Sequence, residues 1–264
     1  MTADANLGVE VRKVGDTGTA VGVLTIDDPA RLNAMGGTFW AEMREALAAL
    51  EADARVRAVI VTGAGEKAFS AGGDIASFAS LTDITARRGF QQDCMRTFAA
   101  VEESPLPVVA AVNGYAMGGG CELALACDVV VAGDNAVFAM PEGAVGLVPG
   151  FGVLRAPAVI GSHWTKLMMF AGERVDADTA LRIGLAQKVV PAAELMTTAW
   201  ELAARIAGMA PLALATGKGL VNRGVDRGEF DHSTAALTTL HATADAAEGI
   251  AAFVGKRTPT FEGR

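Results

Sequence analysis

The stretch NGYAMGGGCELALACDVVVA, residues 113–132, sets three consecutive glycines, Gly118–Gly120, and the carboxylate of Glu122 inside an almost wholly apolar run. Glycine loses more backbone freedom on folding than any other residue. A glycine triplet in a buried segment therefore indicates a turn or a close approach of two backbones. The pattern predicts a strand that ends before the glycines, a short helix over 122–126 and a further strand over 129–132.

A second stretch, AVIVTGAGEKAFSAGGDIASF at 58–78, repeats this arrangement: a buried strand is followed by Gly72 and Gly73 and then by a helix-like segment. The N–H groups at the start of a helix have no partner within that helix. Two glycine turns in adjacent layers can each direct one N–H at a single oxygen, which is the layout of an oxyanion hole. Taken alone, each turn is weak evidence, since most such glycine turns only permit close backbone packing.

Strand-like and helix-like segments alternate along the first part of the chain, which predicts an α/β fold. After Pro191 the sequence is rich in alanine and has the periodicity of helices, with Leu195, Leu202, Ile206 and Met209 on one side of the first helix. We expect a core domain over 1–190 and a C-terminal helical region over 191–264 that packs on the core or on another subunit. The segments predicted are strands at 21–26, 58–62, 108–112 and 129–132, and helices at 39–50, 194–209, 211–223 and 231–253.

Composition restricts the partners of this chain. Its 264 residues carry a formal net charge of −8, which makes nucleic acid a poor partner. The longest uncharged apolar stretch, 106–121, is too short and too rich in glycine to cross a membrane. The three cysteines form no CxxC pair and the three histidines show no metal-ligand spacing, so we predict reduced cysteines and no metal. The N-terminal segment shows no targeting signal, which favours a cytoplasmic location.

The motifs together resemble those of the enoyl-CoA hydratase/isomerase, or crotonase, superfamily. The resemblance runs in order along nearly the whole chain and implies a spiral of repeated ββα units with a C-terminal helical trimerisation region. It also implies a homotrimer or a dimer of trimers. The segments that carry it are DDPARLNAM (27–35), AFSAGGDI (68–75), NGYAMGGGCELALACD (113–128), MPEGAVGLVPGFG (140–152), ALRIGLAQKVVP (180–191) and EGIAAFVGKRTPTFEGR (248–264).

The resemblance also assigns site residues. It places the oxyanion-hole donors on the backbone N–H groups of Gly73 and Gly119 and the two catalytic carboxylates on Glu122 and Glu142. It places the glycine that helps to position the attacking water on Gly150. The substrate and CoA contacts that it implies, besides Gly73 and Gly119, are Arg31, Ala71, Asp74, Ile75, Phe253 and Lys256.

Each carboxylate also has an ordinary explanation. Without the other motifs, Glu122 is a first-turn residue stabilised by the helix dipole, Glu142 is a turn residue after a proline, and Asp74 is a helix cap. Only the joint occurrence of the motifs favours a catalytic site. Phe151, Val153 and Leu154 depart from the family pattern, and we expect them to line the acyl-binding region.

The function implied is that of an enoyl-CoA hydratase, a hydro-lyase that adds water across the C2=C3 bond of a 2-enoyl-CoA. It needs no cofactor beyond the CoA of its substrate. An enoyl-CoA isomerase, or another crotonase-type acyl-CoA enzyme, is the close alternative, because moving a double bond requires one carboxylate as a proton shuttle. A non-catalytic acyl-CoA-binding relative is the alternative from another class, and the presence of both Glu122 and Glu142 disfavours it.

Overall fold

The strands form two sheets that the chain visits in turn. The computed structural model describes residues 7–16, 18–222, 227–257 and 259. Within this part of the chain, a six-stranded sheet has the order β1-β2-β3-β5-β7-β10 and a four-stranded sheet has the order β4-β6-β8-β9. The strands are β1 (Leu7–Lys13), β2 (Ala20–Ile26), β3 (Val56–Gly63), β4 (Ala68–Ser70), β5 (Val108–Val112), β6 (Tyr115–Met117), β7 (Val129–Gly133), β8 (Val137–Ala139), β9 (Val175–Asp176) and β10 (Lys188–Val190).

The helices follow the strands in a repeating order, and short 3-10 turns at Pro29–Arg31, Glu142–Val145 and Ala192–Glu194 complete the connections. Three times in succession, a strand of the large sheet is followed by a strand of the small sheet and then by a helical segment. The fold is therefore the spiral of ββα units that the sequence predicts. The helices are α1 (Phe39–Ala52), α2 (Ile75–Ala79), α3 (Ile84–Glu103), α4 (Gly119–Ala126), α5 (Gly152–Ala171), α6 (Ala177–Ile183), α7 (Leu195–Ala207), α8 (Pro211–Val221), α9 (Arg227–His241) and α10 (Ala244–Val254).

The central strands are buried on both faces because helices and the small sheet cover the large sheet. Strands β2, β3, β5, β7 and β10 pair in parallel, and β5 is buried at every position. A strand that is buried on both faces is a nearly continuous apolar run, as in β5, which consists of valine and alanine. This layering brings the ends of β4 and β6, which pair in parallel, beside one another.

An asparagine at the end of β5 connects this strand to β3. The Asn113 side chain donates to the carbonyl oxygens of Gly63 and Gly65, at 2.8 and 2.7 Å, and accepts from the Gly63 N–H at 3.3 Å. These bonds satisfy backbone groups where two parallel strands end. They hold the chain at the point from which the glycine-rich segment 115–120 starts.

The C-terminal helices differ from the sequence prediction in two details. The helix predicted over 231–253 is two helices, because the first ends at His241 and Thr243 caps the second by accepting from the Ala246 N–H at 3.1 Å. The stripe predicted on α7 is confirmed in part, because Leu195, Leu202 and Ile206 do pack on the side that faces the large sheet. Alanines at 199, 203 and 207, with Leu195, pack on the large sheet, while Met209 lies beyond the helix end and is exposed. Small side chains there allow the helix to approach the sheet closely.

Among the described residues, no helix has both the length and the apolar composition needed to cross a membrane.

Candidate active site

The first glycine turn follows β4 and lies beside the second. At Gly72 the backbone has a φ of 93°, and a Cβ atom there would lie 2.6 Å from the Met117 carbonyl oxygen. The Met35 N–H donates to the Gly72 carbonyl oxygen at 2.8 Å, and the Asp74 N–H donates to the Met35 carbonyl oxygen at 2.9 Å. These two bonds make Met35 and Gly73 an isolated parallel β-bridge. In such a bridge the N–H of Gly73 points away from Met35.

The second turn explains the glycine triplet. Gly118 has a φ of 52°, and helix α4 begins at Gly119 directly after strand β6. A Cβ atom at Gly120 would overlap the Ser70 carbonyl oxygen, and one at Gly119 would lie 3.5 Å from the Gly73 nitrogen. Gly118 therefore supplies a backbone angle and Gly120 a close approach to the first turn, while Gly119 makes only ordinary contact with that turn.

Two backbone N–H groups meet where the turns approach each other. Gly73 and Gly119 both line one cavity, and neither N–H donates a hydrogen bond within the described chain. Gly119 is also the first residue of α4, where the N–H groups are unpaired and the helix dipole is positive. The pair can bind one oxygen that carries developing negative charge.

Glu122 is held by the start of another helix. Its side chain is buried, and its Oε1 accepts from the N–H groups of Phe151 and Gly152, at 2.7 and 2.8 Å, where α5 begins. Its Oε2 accepts no hydrogen bond from the described residues. Burial raises the pKa of the Glu122 carboxyl to about 7, and the two N–H groups oppose that rise. Glu122 is therefore poised to gain or lose a proton near neutral pH.

Glu142 faces the same cavity without partners. Both of its carboxyl oxygens are buried, and neither has a hydrogen-bond partner in the part of the chain that the structure describes. A Cβ atom at Gly118 would lie 3.0 Å from Glu142 Oε1, so the glycine also makes room for this carboxyl group. Burial, and next the charge of Glu122, raise the pKa of Glu142 well above its ordinary value. The two carboxyl groups therefore hold a proton between them at neutral pH.

The cavity has a volume of about 560 Å³ and two unlike ends. Its exposed lining residues mark the entrance, and its buried ones mark a closed inner end. A CoA group is too large to be enclosed, so it can only occupy the entrance, and an acyl chain would point inward. The entrance residues are Leu32, Tyr115, Arg174 and Phe253, and the inner residues are Trp40, Gln91, Cys94, Met95 and Phe98.

The residues predicted to contact CoA are only partly brought together. Ala71, Ile75 and Phe253 line the cavity, as do Gly73, Gly119, Glu122, Glu142 and Gly150, whereas Arg31, Asp74 and Lys256 do not. Arg31 donates from Nε to Asp28 at 2.6 Å and from Nη1 to Asp74 at 3.2 Å, so two carboxylates already balance its charge. Asp74 caps α2 by accepting from the Ala76 N–H at 3.1 Å. Lys256 is exposed.

The expectation that Phe151, Val153 and Leu154 line the acyl region is wrong, since none of them lines the cavity. The Phe151 ring packs against Phe98, at 5.4 Å between centroids, and against Phe230. Phe151 contributes to the site through its backbone N–H rather than through its side chain. The bend that begins α5 directs the Phe151 N–H at Glu122 and the ring into the core.

Sequence reasoning missed the helix that forms the inner wall. Gln91, Cys94, Met95 and Phe98 share one face of α3 and line the cavity. Their spacing of three, four and seven residues is the helical signal that would have found this face. Arg174, an exposed cation at the entrance with no ion-pair partner among the described residues, was also missed. In the same described ranges, no group of three or more potential metal-ligating side chains comes together.

This fold and this site define a crotonase-type protein, in which two glycine N–H groups stand over two buried carboxyl groups. The family model for enoyl-CoA hydratase/isomerase matches residues 16–264. A short-chain-enoyl-CoA hydratase of Clostridium acetobutylicum is 41% identical over 90% of this chain and 92% of its own. A crotonyl-CoA hydratase of Syntrophomonas wolfei is 38% identical over 90% and 93%. The crystal structure of an enoyl-CoA hydratase from Mycobacterium avium subsp. paratuberculosis superposes with a TM-score of 0.84, at 30% identity over 98% of this chain and 99% of that chain.

The chain belongs to the enoyl-CoA hydratase/isomerase family of the crotonase superfamily.

Proposed function

We propose that this protein is an enoyl-CoA hydratase that adds water across the C2=C3 bond of a 2-enoyl-CoA. The relatives with the names short-chain-enoyl-CoA hydratase and crotonyl-CoA hydratase support this activity. The observation that carries it is the pair of buried carboxyl groups with unequal surroundings, Glu122 bound by two N–H groups and Glu142 by none among the described residues. Hydration needs one base and one acid, and unequal surroundings supply them.

The reaction follows from these surroundings. The thioester oxygen binds the N–H groups of Gly73 and Gly119, which stabilise the negative charge that builds up on it as water attacks C3. Glu122, ionised and fixed through Oε1, accepts the proton of the attacking water at Oε2. Glu142, whose pKa is raised by burial and by the charge of Glu122, donates its proton to C2. The pair begins and ends with one proton, so only water is consumed.

The backbone N–H groups of Gly73 and Gly119 account for a large part of the rate of hydration that we expect. Loss of one comparable oxyanion-hole donor reduces kcat by roughly 10²- to 10³-fold in other enzymes. Both donors here are backbone groups fixed by β4, β6 and α4, so they are aligned before the substrate arrives. The site needs no metal or cofactor other than the CoA of the substrate for these steps, and we propose none.

The test is a substrate panel with the purified protein. We expect crotonyl-CoA to lose its conjugated absorbance and to form a 3-hydroxyacyl-CoA. Glu122→Gln and Glu142→Gln should each lower kcat by on the order of 10²-fold or more. Glu45→Gln, on an exposed face of α1, is the matched control and should retain full activity. No hydration by the wild-type protein would refute the proposal.

The same panel separates the alternatives. An enoyl-CoA isomerase would convert 3-enoyl-CoA and would depend strongly on Glu142 but only mildly on Glu122. A non-catalytic relative would bind acyl-CoA and turn over neither substrate. Full hydration by Glu122→Gln would show that this residue is not the base.

We propose that the protein assembles as a homotrimer or a dimer of trimers. Large apolar side chains stay exposed on one helix, α8, at Leu212, Leu220 and Val221, and Phe170 at the end of α5 is exposed as well. Surfaces of this kind support association. A monodisperse monomer in light scattering at micromolar concentration would refute this assembly.

We propose a cytoplasmic location because the cysteines are free thiols. Cys94, Cys121 and Cys127 are all buried and unpaired with one another. Free thiols are typical of proteins in reducing compartments. Cell fractionation with an antibody to the protein tests this location.

A further inference from the structure

A buried carboxamide on α3 faces the inner end of the cavity. Gln91 is 4% exposed and lines the cavity, and its side-chain amide has no hydrogen-bond partner within the described chain. A carboxamide offers two donor hydrogens and one acceptor oxygen. Buried polar groups in native proteins are nearly always hydrogen-bonded, since leaving one unpaired is unfavourable. A partner for Gln91 therefore has to come from the contents of the cavity.

The surroundings of Gln91 are apolar. Trp40, Met95 and Phe98 form the neighbouring inner wall, each almost completely buried. The indole Nε1 of Trp40 is a second buried donor without a partner in the described ranges. Two unpaired hydrogen-bonding groups in one apolar chamber indicate that its ligand is mainly apolar and carries a polar group.

Helix geometry places Gln91 at a distance from the catalytic carboxyl groups. The Phe98 ring packs on Phe151, whose N–H binds Glu122, so Phe98 marks the catalytic end of α3. Cys94 also lies close to Glu122, whose charge contributes after burial to raising the pKa of the thiol. Gln91 precedes Cys94 by about 5 Å and Phe98 by about 10 Å along the helix axis, at 1.5 Å per residue. Gln91 therefore lies on the cavity wall about two turns of α3 from the end that packs near Glu122.

We propose that Gln91 selects 2-enoyl thioesters whose acyl chain carries a neutral hydrogen-bonding group, a hydroxyl, beyond the reacting carbons. The proposal rests on the hydratase function proposed above. A hydroxyl both donates and accepts, so it can pair with the carboxamide. An ionised group is disfavoured, because the wall around Gln91 is formed by Trp40, Met95 and Phe98, and moving a charge from water into apolar surroundings is unfavourable.

The preference has an energetic reason, because an alkyl chain and a hydroxylated chain leave the Gln91 carboxamide with different hydrogen bonds. An alkyl chain would cover the Gln91 carboxamide and leave it without water and without a partner. A hydroxylated chain would replace the water with an equivalent hydrogen bond. Sites that pair with a substrate hydroxyl discriminate strongly against the analogue that lacks it.

The test uses two 2-enoyl-CoA substrates of equal, medium length, one with a terminal hydroxyl and one without. We expect the wild-type protein to prefer the hydroxylated chain in kcat/KM by roughly 10-fold or more. Gln91→Leu, which keeps the volume and removes the amide, should abolish or reverse that preference. Met95→Leu, on the same helix face, is the matched control and should keep it. Gln91→Met serves if the leucine variant does not fold.

Two further measurements separate this inference from the proposed function. Crotonyl-CoA carries no hydroxyl for Gln91 to bind, so its hydration by the wild-type protein tests the proposed function by itself. Calorimetric binding of the two saturated acyl-CoA analogues reports the same preference without turnover. Absence of crotonyl-CoA hydration refutes the hydratase proposal alone. Equal hydroxyl-to-alkyl ratios in wild type and Gln91→Leu, in turnover and in binding, refute the role of Gln91.

Discussion

Replacing Glu122 by glutamine is expected to stabilise the protein at pH 8 while it removes hydration. Glutamine keeps an oxygen that can accept from the Phe151 and Gly152 N–H groups, but it has no charge to bury. Folding raises the pKa of Glu122 from 4.5 to about 7. Since each tenfold change in proton affinity is about 1.4 kcal/mol, ionising Glu122 in the folded state reduces stability by about 3 kcal/mol.

The size of the effect depends on pH. The folded-state pKa lies above the unfolded value, so the protonated carboxyl favours folding. This contribution is complete below about pH 4.5 and is lost as the pH rises to about 7. The variant should therefore unfold at a higher temperature than wild type at pH 8, by roughly 6 to 10 °C. The difference should disappear near pH 4.5.

Thermal unfolding at pH 4.5 and pH 8, at one fixed protein concentration, measures this effect. Glu45→Gln, a change at an exposed position of α1, is the control and should leave both unfolding temperatures unchanged. An unfolding temperature of Glu122→Gln at or below wild type at pH 8 would contradict the reasoning. An equal gain at both pH values would do so too, because the gain would then not come from the buried charge.

Three other changes test separate parts of the structure. The double variant of Glu122→Gln and Glu142→Gln should lose little more kcat than either single variant, because the pair shares one proton, and a product of the two losses would contradict this. Gly120→Ala should lower the unfolding temperature severely, since its Cβ would overlap a backbone carbonyl, whereas Gly217→Ala in α8 meets open space and should stabilise slightly. Lys256→Ala should raise KM at unchanged kcat, the pattern of a contact to CoA, and a fall in kcat at normal KM would show another role.

The turns of the site were predictable because glycine requirements are local. The triplet at Gly118–Gly120 and the pair at 72–73 mark these turns, and the structure finds a positive φ at Gly72 and Gly118 and a close backbone approach at Gly120. The strands were predictable for a similar reason, since β3 and β5 are continuous apolar runs. The helix break at Thr243 was not, because alanine-rich sequence favours helix on both sides of it.

The sequence by itself determined the ββα spiral, the two glycine turns and the presence of Glu122 and Glu142, because these depend on residue type, local spacing and resemblance. Tertiary structure alone decided which backbone groups hold Glu122, since the N–H groups of Phe151 and Gly152 come from a helix that begins about thirty residues later. It also decided that Gln91 lines the cavity. Helical spacing puts Gln91, Cys94, Met95 and Phe98 on one face of α3, but whether that face meets a cavity depends on the packing of the neighbouring elements.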